Sequence, residues 1–170
     1  IFTNECRGDK GAWYNLELTC RSILSDYHYM NNSYIKSEAI RNKLYMTPLS
    51  KKETVASLLT MLGQYYLMKY GYDPFILNCI HTAEIYAPHD IYSKIMEANY
   101  ETRLTLEIAR LLNAHNPETL KRISPEAYKH HERMHQLYKE IDDSGYEDMP
   151  KEIYARWLRH VDKLKTSCNY

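Results

Sequence analysis

The chain has 170 residues, balances 22 Lys+Arg against 22 Asp+Glu, and is 44% apolar with only 5 Gly and 6 Pro. Zero formal charge argues against a domain that works by neutralising phosphates. The apolar share is too high for a disordered chain, and so few turn residues do not serve a strand-rich sandwich or barrel.

In chain order, the punctuation predicts helices. Residues 12–29 and 33–46 carry two helical patterns. Ser50-Lys51-Lys52-Glu53 reads as a capping box, in which hydroxyl and carboxylate each satisfy an orphan backbone N–H. The helix it opens runs to about Lys69, where Gly71 supplies the stop. Asp73-Pro74 caps the next helix, which closes near Tyr86 before Pro88. Asp90 caps another, with Ile91, Ile95, Ala98, Thr102, Leu106, Ala109 and Leu112 spaced by three and four. Asn116-Pro117 and Ser124-Pro125 repeat the cap-then-proline device. Gly145 ends the helix begun at Ser124, and Asp148-Met149-Pro150 begins the last one. No run of four residues alternates as a strand. The expectation is all-α: about seven helices in antiparallel hairpins joined by short loops. They form a single domain over 1–170, with an extension at 1–11, hairpins over 12–114 and capping helices over 115–170.

The longest uncharged run, from Thr54 to Met68, is shorter than the roughly 20 residues of a bilayer span. It reads as a buried helix face, so no membrane span is expected. The chain begins at Ile1, not Met, so a targeting signal is out of view and the localisation is unknown. Cys6, Cys20, Cys79 and Cys168 form no C-x-x-C pair. Cys20 and Cys79 fall in helical patterns as small apolar residues, and Cys6 could pair with Cys168 if the termini meet. The tripeptide Arg7-Gly8-Asp9 and the sequon Asn31-Asn32-Ser33 read as an N-terminal turn and as loop-and-cap residues.

Leu59, Leu62-Gly63 and Tyr66, followed by Ile76, Ile80, Ala83 and Pro88, resemble a tetratricopeptide repeat, with one extra residue in the turn at Gly71-Tyr72. Gly63 and Ala83 are small where two helices of such a hairpin approach closely. Trp13 and Leu16, closed by Ala39 and Pro48, approximate an earlier repeat, with Glu17 in place of glycine; Ala98 and Tyr100 approximate a third. The resemblance implies a short right-handed superhelix that binds a protein or peptide, without catalysis or cofactor, alone or as part of a longer chain. Tyrosine, present 17 times, suits half-buried contact surfaces. Tyr65, Tyr66, Tyr70 and Tyr72 are the densest group and the candidate partner-binding surface.

The competing reading is a metal-dependent hydrolase. His131-Glu132-Arg133-Met134-His135 is similar to the zinc-peptidase H-E-x-x-H motif, which puts two imidazoles on one helix face with a glutamate as general base. Arg133 is an awkward neighbour for a cation there, and Glu152 or His160 would have to serve as third ligand. His89-Asp90, His115, His130-His131 and Asp162 occur in the order that HD-type phosphohydrolases use to hold a divalent metal such as zinc. Asp90 already has a use as a helix cap. The metal reading therefore names His89, Asp90, His131, His135 and Asp162. Lys151, Arg156, Arg159, Lys163 and Lys165 opposite Ile153, Trp157, Leu158 and Val161 make the last helix amphipathic.

Overall fold

A computed structural model describes residues 2–3, 14–17 and 21–167, with the side chains of 15, 16 and 21–159. Cys6, Arg7-Gly8-Asp9, Cys20 and Cys168 lie outside the described residues, as do the side chains of His160 and Asp162. The class is all-α: eight helices among the described residues, preceded by three short strands. No helix among them is long and apolar enough to cross a membrane. Contacts divide the chain into two compact units, 1–48 with 146–170 and 49–145, where the punctuation predicts one array.

In the first unit, β1 (Phe2–Thr3), β2 (Tyr14–Glu17) and β3 (Ser22–Leu24) pair antiparallel in that order. This corrects the helix expected over 12–29. Arg21, at φ 53, turns the chain into β3. Ser25 then accepts the His28 N–H through its side chain and starts α1 (Asp26–Asn32), so no helix runs through this point. The buried Asn15 of β2 donates to the Asp26 carboxylate, joining sheet to helix. The helix expected over 33–46 contracts to α2 (Ser37–Arg41), because Lys43 and Met46 take positive φ. The last helix, α8 (Lys151–Ser167), belongs to this unit; Tyr154 stacks on Trp157 along it.

The second unit follows its punctuation closely. It comprises α3 (Lys51–Tyr70), α4 (Pro74–Tyr86), α5 (Ile91–Leu111), α6 (Pro117–Ile123) and α7 (Pro125–Asp143). Ser50 and Glu53 form the full capping box. Asp73, Asp90, Asn116 and Ser124 each accept a first-turn N–H of the helix that follows. Gly71 closes α3 at φ 81, a backbone state that favours glycine. The largest interfaces are α5 on α7 and α3 on α4. A Cβ added at Gly63 would stand 3.3 Å from Cys79 Cβ of α4 and from Met96 Cε of α5, tighter than side chains ordinarily pack, so a larger residue there would require its neighbours to shift. Ile76, Ile80 and Met96 form the core beneath it, with Tyr66, Leu67 and Tyr72 packed against them. Ala56, Ala83 and Ala87 make a second, smaller cluster.

Candidate functional site

α3 carries large apolar side chains well beyond the side that is covered. Ala56, Thr60 and Gly63 are buried, and they fall on one face by the 3.6-residue period. Val55, Leu58, Met61, Leu62, Tyr65 and Met68 are exposed on the other side, Tyr65 by 64% and Met68 by 78%. The expectation that the uncharged run from Thr54 to Met68 is a buried face is therefore corrected: half of it faces solvent. At the N-terminal end of this face, Lys51, Lys52, Val55, Ala56 and Leu59 of α3 and Thr82 and Tyr86 of α4 line an open groove of about 460 Å³.

The tyrosine group divides along the same helix. Tyr66, Tyr70 and Phe75 form an aromatic cluster at the far end, with Tyr66 centred 4.7 Å from Tyr70 and 4.5 Å from Phe75. The Tyr66 hydroxyl donates to Asp73 Oδ2 at 2.5 Å, and this bond to a carboxylate pushes the phenol pKa up. Asp73 meanwhile accepts the Phe75 N–H, so one side chain caps α4 and anchors the cluster. Lys69 Nζ stands 5.0 Å above the Tyr70 ring. Tyr72 turns to α5, edge-on to Tyr100 and under the Arg103 guanidinium. Tyr66 and Tyr72 are half-buried; Tyr65 and Tyr70 are exposed, and Tyr65 belongs with the leucines of the open face.

The histidine constellations are only partly assembled. His131 and His135 do meet, their rings edge-on with centroids 4.5 Å apart. Burial, then the neighbouring His135, lowers the His131 pKa. His89 is exposed. Asp90 is occupied: Oδ1 caps α5 at Tyr92, and Oδ2 accepts the Thr60 hydroxyl at 2.7 Å. Among the described residues, no group of three or more His, Cys, Asp and Glu side chains is arranged to hold a metal ion.

Arg133, inside the H-E-x-x-H string, points away from the histidines. Its Nε and Nη2 each donate to a separate oxygen of Glu97 at 2.9 Å. Around this fork, Lys94 donates to Glu140, and His130 Nδ1 lies 2.7 Å from Glu101 Oε2. Glu97 and Glu101 are only 4% and 7% exposed, so the α5–α7 interface buries charge. Burial, then Glu97 nearby, raises the Glu84 pKa, while the bond from Lys94 lowers that of Glu140. Glu97, Glu101 and Glu140 are each paired with a basic side chain across this seam, an arrangement that holds the two helices in register.

No protein-family model matches the chain, and no curated protein or solved structure matches it. The open face of α3 was missed by sequence reasoning, which placed the site only at Tyr65–Tyr72. A signal was there: Val55, Leu58, Leu62 and Tyr65 make a stripe of large apolar residues apart from the side where the small residues Ala56, Thr60 and Gly63 fall.

Proposed function

We propose that this chain is a non-catalytic helical domain, tetratricopeptide-like in its α3–α4 hairpin, that binds a protein or peptide. The observation that carries the reading is the exposed face Val55–Leu58–Met61–Leu62–Tyr65–Met68, a contiguous run of large apolar side chains on a well-capped helix. Exposed apolar patches of this kind mark interaction sites. The groove beside Tyr86 and the Tyr70 cluster at the other end give the face an anchor pocket and an amphipathic rim, both features of protein interfaces. The Gly63 contact with Cys79 supports the hairpin resemblance in particular, since this glycine sits at a close helix approach and not in a turn.

Selection of random displayed peptides on the purified chain tests this. Enriched peptides are expected to lose about tenfold or more in affinity on Leu62→Ser and on Tyr65→Ala, the scale of an interface hot spot, with the melting temperature unchanged. An empty selection, or peptides indifferent to both substitutions, overturns the reading.

A further inference from the structure

We infer that the occupant of the α3 face is an amphipathic helix carrying acidic residues at both ends of its apolar stripe; this rests on the protein-binding reading above and specifies the partner. Lys51, Val55, Leu58, Leu62, Tyr65 and Lys69 are separated by alternating steps of four and three residues. That is the spacing by which one helix lays a continuous seam along another, knobs into holes. Lys51 and Lys69, both exposed, are 18 residues apart on a helix that runs unbroken from Lys51 to Tyr70. Five full turns separate them, which returns them to the same bearing about 27 Å apart.

The seam between them is neutral. No charged residue occurs from Thr54 to Met68, and the Glu53 carboxylate that precedes it is held by the Ser50 N–H at 2.7 Å in the capping box. Lys51, Lys52 and Lys69 make no ion pair among the described residues. The stripe is thus apolar for four turns and cationic at each end. A strand or extended peptide does not repeat with this period, whereas a helix does.

The same pattern speaks against a second copy of the chain. Paired parallel, the seam would set Lys51 against Lys51 and Lys69 against Lys69; paired antiparallel, Lys51 against Lys69. Either register opposes like charges at both ends. A helix with Glu or Asp at its two ends satisfies both, and the groove lined by Lys51, Lys52, Val55, Leu59 and Tyr86 takes one large apolar side chain beside its acidic end.

The test uses the full chain and three labelled synthetic helical peptides of equal length, read by fluorescence anisotropy. One has leucines at the alternating spacing with Glu at both ends, the second has Lys at both ends, and the third keeps Glu ends but replaces the leucines with Ser. The Glu-ended leucine peptide is expected to bind about tenfold tighter than the Lys-ended one at low ionic strength, the gap narrowing as salt screens the exposed pairs. The preference is expected to reverse on the double substitution Lys51→Glu, Lys69→Glu, and the Ser peptide is expected not to bind. Equal affinity for Glu and Lys ends overturns the inference. So does failure of all three helical peptides while display-selected peptides still depend on Leu62 and Tyr65, a result that leaves the protein-binding reading standing. If selected peptides also ignore the face, both fall. A dimer in sedimentation that Leu62→Ser dissociates overturns the inference in favour of a second copy.

Discussion

Two helices of the 49–145 unit carry the same spacing and use it in opposite ways. On α3, Val55, Leu58, Leu62 and Tyr65 step by three, four and three and stand in solvent. On α7, His130, Arg133, Leu137 and Glu140 take the same steps and pack on α5. Here α7 meets α5 with buried Leu137 and with half-exposed polar partners for the buried Glu97 and Glu101, whereas the open seam of α3 is apolar. Two different demands account for the contrast. Within α5–α7, directional partners fix one register: the Arg133 fork grips Glu97 through both carboxylate oxygens, and Lys94 reaches Glu140 only when the helices are aligned. An apolar seam on α3 fixes nothing by itself and is most useful to a surface that awaits a partner.

The covered seam offers the largest way to break this contrast. Arg133→Ala leaves Glu97 buried without its counter-charge, and a loss of about 3 kcal/mol is expected in urea denaturation. Replacing both partners by apolar residues, Glu97→Leu with Arg133→Met, is expected to recover most of that loss, because no orphaned charge remains. If the double variant is as unstable as the single one, the pair stabilises by more than mutual neutralisation. The seam would then be more than a lock on register.

Glu84 sharpens the same region with a smaller effect. Its pKa in the fold lies above the ordinary carboxylate value, through burial and then the Glu97 charge. The folded state thus holds the proton more tightly than the unfolded chain, and the ionised carboxylate costs stability at neutral pH. That cost is complete above the folded pKa and vanishes as pH falls below the ordinary value near 4.5. Glu84→Gln is accordingly expected to raise the melting temperature at pH 7, with the gain fading in acid. An equal gain at all pH values would assign the effect to packing and not to charge.

Much of this arrangement is legible in the sequence because helix ends are chemically explicit. Ser50, Asp73, Asp90, Asn116 and Ser124 announce five helices, and each performs the cap its position predicts. Gly63 likewise shows its reason as soon as Cys79 is found opposite. The strands were illegible because Tyr14–Glu17 and Ser22–Leu24 are too short to display alternation, and pairing across a turn leaves no local period. The polar seam was hidden for a different reason. Glu97, Glu101 and Arg133 are ordinary helix-surface residues until another helix covers them, and the covering helix lies some thirty positions away. Exposure of α3 was hidden in the converse way, since a long uncharged run rich in large apolar residues is ordinarily a buried one.

The smallest expected effect decides most about the open seam. If Val55, Leu58, Leu62 and Tyr65 meet water in the isolated chain, Leu58→Ser with Leu62→Ser removes little buried apolar area, since both leucines are at least half exposed. The change in unfolding free energy should then stay within about 0.5 kcal/mol, as for surface substitutions away from structural features. Propensity works slightly against the variant, because serine is the poorer helix former. A loss of about 2 kcal/mol or more for the pair would be the signature of leucines withdrawn from solvent. The contrast between the two seams would then collapse into two ordinary covered interfaces. A near-neutral result, joined to loss of peptide binding in the same variant, separates the two demands cleanly: α7 holds the fold, and α3 is kept apolar for something outside it.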